Sequence, residues 1–144
     1  MTNSGADTIE RLVLDTSAYA RLRTGDPDVM DMVAAAETVV LPVTVVGELE
    51  AGFAAGSRAA ANRIALNDFL SEPFVTVLDV TRSVARRYGD VFAELRRAGT
   101  PIPTNDLWIA ASTLDCGGSL LTFDSHFERV VGLPRVTPTG AIPG

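Results

Sequence analysis

Short apolar runs alternate along this chain with longer segments that have helical periodicity. Four runs are short, continuous and free of charged residues, and they predict β-strands over residues 12–14, 38–41, 74–78 and 119–123. Continuous apolar runs of this length are typical of strands that are buried on both faces. The pattern therefore predicts a short parallel central sheet with helices on both sides, a three-layer α/β/α domain.

Capping residues mark the ends of the predicted helices. The clearest helix follows Thr81, which is placed to cap it, and ends at Gly99. Thr44 is the predicted cap of the helix that follows the second strand. Helices are predicted over residues 18–22, 27–36, 45–54, 57–70, 82–98 and 104–116, with a short turn over 125–129 and a last edge strand at Val136.

Length and hydropathy favour one domain. The chain has 144 residues, enough for one core, and no linker or internal repeat divides them. We expect a single domain over 1–144 with a polar tail at 1–10 and a loose end at 138–144. No apolar run reaches the roughly 18 residues of a membrane span, and no signal peptide is visible, so the expected location is the cytoplasm.

The charged residues exclude several classes of protein. All 12 basic residues are arginine, against 18 acidic residues, and the net charge is −6. Without lysine, neither a P-loop nor Schiff-base catalysis is possible, and one cysteine (Cys116) with one histidine (His126) cannot form a Cys/His zinc site. Net acidity argues against a general nucleic-acid coat protein, but not against an enzyme with a local arginine patch and a bound metal.

Four carboxylates are predicted at the edge where the strands end: Asp15 directly follows the first strand, and Asp124 follows the fourth. Glu48 and Asp106 are predicted in the first turns of the helices after the second strand and before the fourth. Because side chains near a helix start lean toward this edge, the four could share one pocket. Clustered carboxylates suit Mg²⁺ or Mn²⁺ and phosphoryl chemistry. The alternative is that each acid only caps a helix, and spacing alone leaves this open.

The strings around these acids resemble four sequence blocks of PIN-domain proteins, and specifically of VapC-type toxins. They are LVLDTS at 12–17, VTVVGELEAG at 43–52, IPTNDLWIAA at 102–111 and LLTFDSHF at 120–127. The blocks occur in the family order, and the resemblance covers residues 12–133. Two departures are a longer tail before Asp15 and the lack of lysine, which leaves RNA contacts to arginine alone.

The resemblance implies an Mg²⁺- or Mn²⁺-dependent endoribonuclease, the toxin of a toxin–antitoxin pair, which forms a homodimer and is silenced by a VapB-type antitoxin. Its acidic pocket would attract an arginine of that antitoxin. A metal-activated water would attack the phosphodiester and leave a 5′-phosphate and a 3′-hydroxyl. The implied catalytic and metal-binding residues are Asp15 and Asp106, nearest the ion, with Glu48 and Asp124, supported by the hydroxyls of Thr16, Ser17 and Thr122.

Arginines near the predicted edge are the candidate RNA contacts. Arg21 and Arg23 follow Asp15, while Arg96 and Arg97 lie near the loop that precedes the third acidic block. Arg82, Arg86 and Arg87 could also contact RNA, but a run of arginines on an amphipathic helix is more often its solvated face, which is the favoured interpretation for these three.

Two other functions remain open at this point. One is a non-catalytic PIN-fold module that binds RNA or protein, against which the four intact acids speak. The other is a different α/β phosphotransfer protein, against which the missing lysine speaks. His126 is expected to hydrogen-bond in the turn after Asp124 rather than to act as a general base. The identity of the RNA target does not follow from the sequence.

Overall fold

A computed structural model describes residues 9–138 of the chain. Within that range lie five strands: β1 (Arg11–Leu14), β2 (Thr38–Pro42), β3 (Val75–Leu78), β4 (Ser119–Leu121) and β5 (Arg135–Val136). The same range holds six α-helices and one 3₁₀ helix: α1 (Thr16–Arg23), α2 (Pro27–Ala35), α3 (Val43–Ala55), α4 (Ala59–Leu70), α5 (Arg82–Ala98), α6 (Thr104–Cys116) and the 3₁₀ helix Ser125–Arg129. None of these described helices is both long and apolar enough to traverse a lipid bilayer.

The strands form one parallel sheet in the order β3-β2-β1-β4-β5. β1 lies at its centre, where Val13 pairs with Val40 on one side and Leu120 on the other. Leu12, Val13 and Leu14 are fully buried. A strand buried on both sides needs a covering layer on each face, and the predicted α/β/α architecture is confirmed.

The order of the strands places a crevice at the centre of the sheet. From β1 the chain adds β2 and β3 on one side, and later adds β4 and β5 on the other. In open α/β sheets, ligands bind outside the carboxyl ends of the strands at such a switch point. Asp15 directly follows β1, and the segment after β4 carries Asp124.

Two glycines shape the return from α6 into β4. Gly117 ends α6 with a left-handed φ of 69°, just as Gly99 ends α5 with a φ of 72°, so both predicted helix ends are confirmed. Gly118 has no room for a side chain, because a Cβ there would lie 2.8 Å from Cγ2 of Val13 and 3.0 Å from the carbonyl oxygen of Arg11. The chain can therefore turn directly from the helix into the strand beside β1.

The predicted cap at Thr44 is wrong. α3 begins at Val43, directly after Pro42, and no side chain caps its first turn. The Thr44 hydroxyl is buried and has no hydrogen-bond partner within residues 9–138. Pro42 was the better signal, since its φ of −57° already suits the entry into a helix. As a result, Glu48 lies in the second turn of α3 rather than the first.

Both ends of the described region pack against the rest of the domain, although the sequence predicted a polar tail and a loose end there. Ile9 packs against the core, and its carbonyl accepts the N–H of Glu37 at 3.0 Å. At the other end, Pro138 is buried. Both residues fall inside the predicted tail and loose end, whose remaining parts, 1–8 and 139–144, lie outside the described residues.

Candidate active site

Asp15 is a buried carboxylate at the carboxyl end of the central strand. It is 3% exposed and caps α1, because Oδ1 accepts the N–H of Ala18 at 2.8 Å and the hydroxyl of Ser17 at 2.7 Å. Oδ2 accepts the hydroxyl of Thr122. Burial raises the pKa of Asp15 above its ordinary value, and the charge of Asp124 raises it further, although these hydrogen bonds lower it. Asp15 is thus a helix cap and also a member of a charged site.

Two hydroxyls tie the segment after β4 to Asp15. Thr122 accepts the N–H of Asp124 at 3.0 Å, while Ser17 accepts the N–H of Phe123 at 3.2 Å. Because both hydroxyls also donate to Asp15, the ends of β1 and β4 are held in one arrangement. These are two of the three hydroxyl residues predicted to support the site.

Asp106, Asp124 and His126 form a tight group beside Asp15. The Nδ1 atom of His126 lies 3.1 Å from Oδ2 of Asp106 and 3.1 Å from Oδ1 of Asp124. One ligand atom from each of the three residues lies within 4.8 Å of the others. Burial raises the pKa of Asp106, and the charges of Asp124 and Glu48 add to this, whereas the hydrogen bond with His126 lowers it. The imidazole therefore lies between two carboxylates, as expected for a hydrogen-bonded histidine in this turn.

Glu48 is held between two other helices. Its Oε1 accepts the hydroxyl of Thr16 on α1 at 2.7 Å, and its Oε2 accepts Nδ2 of Asn105 on α6 at 3.1 Å. Thr16 thus has the supporting contact predicted for it. Asn105 was not predicted to take part, and its position beside Asp106 in the third block was the only available signal.

The four predicted acids come together at one end of the sheet and form the acid cluster, Asp15, Glu48, Asp106 and Asp124. The charge of Asp124 acts on both Asp15 and Asp106, and the charge of Glu48 acts on Asp106. The resemblance placed Asp15 and Asp106 nearest the ion. In the described residues, the group with ligand spacing pairs Asp106 with Asp124 and His126 instead, so a direct role for Asp15 stays a prediction.

The donor atoms of this site fit a divalent cation. Carboxylate oxygens predominate, and oxygen ligands of this kind suit Mg²⁺ and Mn²⁺. Burial and mutual repulsion raise the pKa of both Asp15 and Asp106, which is the state that a nearby cation relieves. No lysine or arginine is within ion-pair distance of any acid in the cluster, among residues 9–138.

The candidate RNA arginines have different surroundings. The guanidinium of Arg21 lies 3.8 Å from the centre of the Phe123 ring, beside the acid cluster. Arg96 lines an apolar cavity of about 320 Å³ together with Leu107, next to the start of α6. Arg97 lines a separate groove, and the charge of Arg23 acts on Tyr19 of the same helix, where it lowers the tyrosine pKa against the larger effect of burial.

Comparison with known protein families identifies the family to which a chain with this fold and this acidic site belongs. Residues 12–133 match the family model of the PIN domain, and the chain therefore belongs to the PIN domain family. It is 31% identical over 133 residues to ribonuclease VapC4 of Mycobacterium tuberculosis, covering 90% of this chain and 98% of that protein. It is 30% identical over 135 residues to the plasmid stability protein StbB of Pseudomonas syringae pv. tomato, covering 88% of this chain and 97% of that protein. The resemblance to VapC-type toxins is confirmed.

Solved structures agree on the fold. A DNA-bound VapBC structure from Salmonella typhimurium has a TM-score of 0.80 at 24% identity, covering 90% of this chain and 98% of that one. VapBC2 from Rickettsia felis, bound to a promoter DNA fragment, has a TM-score of 0.79 at 23% identity, covering 89% and 98%. At these identities the similarity establishes the architecture alone.

Proposed function

We propose that this protein is a metal-dependent endoribonuclease and the toxin of a toxin–antitoxin pair. Two relatives, matched over 90% and 72% of this chain, are named ribonucleases, which supports RNA as the substrate. The observation that carries the proposal is the acid cluster, in which one buried and three half-buried carboxylates meet at the switch point of the sheet. Among residues 9–138 no arginine pairs with them, and their only basic neighbour is the imidazole of His126. Such a group is costly for a protein to maintain unless a cation binds there.

Asp106 and Asp124 would hold an Mg²⁺ or Mn²⁺ ion, with Asp15 and Glu48 completing its surroundings. When bound, such an ion makes a water more acidic and offsets negative charge on the phosphate. The residues of the chain itself provide orientation. Thr16 and Asn105 hold both oxygens of Glu48.

Ser17 and Thr122 hold the two oxygens of Asp15 in the same way. Neither Asp15 nor Glu48 therefore needs to reorganise when RNA binds. Products with a 5′-phosphate and a 3′-hydroxyl are expected, because water rather than the ribose 2′-hydroxyl supplies the new oxygen.

The proposed partner is a VapB-type antitoxin. Several of the similar structures are VapBC complexes, two of them bound to DNA. An arginine is the side chain that best fits the acid cluster, because its guanidinium can bind carboxylates in a bidentate manner. The proposed assembly of the toxin itself is a homodimer.

Mapping of RNA ends tests the proposed reaction. Purified protein, free of antitoxin, is incubated with total RNA and Mn²⁺, and only ends that carry a 5′-phosphate are sequenced. We expect discrete new ends that disappear with a chelator and in Asp106→Asn.

Asp115→Asn is the matched control, because Asp115 lies at the opposite end of the same helix and pairs with Arg87. Cleavage that survives both chelation and Asp106→Asn would contradict the proposal. A folded protein that yields no metal-dependent ends would support the non-catalytic binding module instead.

A further inference from the structure

Arg21 carries a positive charge that is held in place from two sides. Its Cζ atom lies 3.8 Å from the centre of the Phe123 ring, a cation–π distance. Its Nη1 atom lies 3.5 Å from Oδ2 of Asp26. Asp26 is itself fixed, because its other oxygen caps α2 by accepting the N–H of Asp28 at 3.0 Å. The guanidinium is therefore oriented before any ligand binds, although the side chain is still 51% exposed.

The ring beneath Arg21 belongs to the segment that builds the acid cluster. Phe123 lies between Thr122, which binds Asp15, and Asp124. Its N–H donates to Ser17, which also donates to Asp15. Phe123 and Asp124 line the same cleft, of about 250 Å³. Arg21 thus lies at the rim of the acid cluster, packed on a residue whose backbone is hydrogen-bonded to Ser17 beside Asp15.

The pairing of Arg21 leaves most of its hydrogen-bonding capacity unused. Within residues 9–138 its ion-pair partner is Asp26, through one nitrogen at a long distance, and no acid of the cluster is within 4.0 Å. A guanidinium has five N–H donors in a plane that suits phosphate oxygens. RNA approaching a group of four carboxylates is repelled, and a fixed cation at the rim offsets that repulsion.

We propose that Arg21 binds a backbone phosphate of the RNA next to the phosphate that is cleaved, and that Phe123 and Asp26 hold it for this purpose. The inference rests on the proposed ribonuclease function and names a substrate-binding residue of the same site. A purely structural role, in which Arg21 only ties α1 to the segment after β4, would affect stability but not affinity for RNA.

The test compares Arg21→Gln with Arg63→Gln. Arg63 is the matched control, because it also pairs with an acid, Glu50 at 2.8 Å, and is 47% exposed, but it lies on α4. Both changes are made in an Asp106→Asn background, and binding of a mixed-sequence single-stranded RNA oligonucleotide is followed by fluorescence anisotropy over a range of salt concentrations. Thermal unfolding of each variant is measured in parallel.

We expect Arg21→Gln to weaken RNA binding roughly tenfold relative to Arg63→Gln. The slope of log affinity against log salt should fall by about 0.7, the value for one lost phosphate contact on a single strand. Arg21→Lys should bind with intermediate affinity, because it keeps the charge but not the planar fork. In the cleaving protein, Arg21→Gln should raise KM and leave kcat nearly unchanged.

Equal RNA affinity and equal salt slopes for Arg21→Gln and Arg63→Gln would overturn the proposal, whatever the unfolding temperatures. Cleavage by the unmodified protein is scored separately. If cleavage is present and the two variants bind alike, only the role of Arg21 fails. If cleavage is absent but Arg21→Gln alone loses affinity, the phosphate contact stands and the nuclease assignment fails.

Discussion

The two ends of α6 carry aspartates of similar exposure in opposite surroundings. At the amino-terminal end, the Asp106 side chain is 14% exposed and faces other carboxylates and one imidazole. At the carboxy-terminal end, the Asp115 side chain is 19% exposed, accepts the hydroxyl of Ser83 and lies 3.6 Å from Arg87. One helix therefore presents the same residue type once beside an arginine, the paired end, and once beside one imidazole and carboxylates that repel it, the repelling end.

This difference separates structural from functional carboxylates. α5 supplies an arginine for Asp115, so the chain is able to place a cation beside an acid of α6. At Asp106 it places further acids and one imidazole instead, and burial together with the charges of the acids raises the pKa of that carboxyl, although the hydrogen bond with His126 lowers it. A protein selected only for stability would gain by pairing both. The end of α6 that carries Asp106 is thus the one that the proposed cation would stabilise.

Metal binding should show the largest contrast between the two aspartates. Asp106→Asn removes a charged oxygen from the group with ligand spacing, and we expect it to weaken Mn²⁺ binding by more than about a hundredfold, beyond what loss of an outer partner typically costs. Asp115→Asn should leave the affinity unchanged within about twofold. Isothermal titration calorimetry measures both. Equal Mn²⁺ affinity in the two variants would remove the functional distinction between the helix ends.

Asn105 distinguishes the two ends of α6 further, because at the amino-terminal end its amide donates a hydrogen bond that orients Glu48. Asn105→Ala frees Oε2 of Glu48, and we expect a loss of roughly tenfold in the cleavage rate, since outer contacts of a metal site typically contribute on this scale. Asn62→Ala is the control, an exposed asparagine on α4. Initial rates on one mapped cleavage site provide the measurement. Unchanged cleavage in Asn105→Ala would show that Glu48 is positioned adequately by Thr16.

The location of the acids followed from the sequence pattern, and their supporting hydroxyls, Thr16, Ser17 and Thr122, followed from the family resemblance, whereas the contact of Asn105 was not predicted. Strand ends and helix starts follow from apolar runs and capping residues, and in a parallel sheet they meet at one edge. One partner of Asp15 is Thr122, 107 residues away, and Glu48 meets Asn105 across 57 residues. Such contacts depend on how α1, α3 and α6 pack, which no local periodicity specifies.

Local signals also compete with one another. At the start of α3, the hydroxyl of Thr44 suggested a cap, but the conformation of Pro42 decided where the helix begins. The helix begins two residues earlier than predicted, so Glu48 lies in its second turn, and its side chain reaches both α1 and α6.

In the absence of metal, the free energy of unfolding should depend on pH differently in the unmodified protein and in Asp106→Asn. Because the pKa of Asp106 is raised in the folded protein, that state binds more protons than the unfolded chain between the ordinary and the raised value. Stability of the metal-free protein is therefore lost as pH rises through this window. Asp106→Asn should be more stable than the unmodified protein at neutral pH, and the two should converge at acid pH.

Urea unfolding across this pH range, with and without Mn²⁺, checks the expectation. Added Mn²⁺ should raise the free energy of unfolding of the unmodified protein and not that of Asp106→Asn. If Asp106→Asn is instead the less stable protein at neutral pH without metal, the hydrogen bond with His126 outweighs burial and repulsion.

The smallest effect is expected at the paired end of α6. Asp115→Asn removes the ion pair with Arg87, whose side chain is 49% exposed, and keeps an oxygen that can accept the Ser83 hydroxyl. Exposed pairs of this kind contribute little, so the free energy of unfolding should fall by about 0.5 kcal/mol, with less loss at high salt. Urea unfolding of Asp115→Asn and Arg87→Gln measures it. A loss several times larger would mean that the paired end is also under special constraint, and the contrast with Asp106 would then rest on metal binding alone.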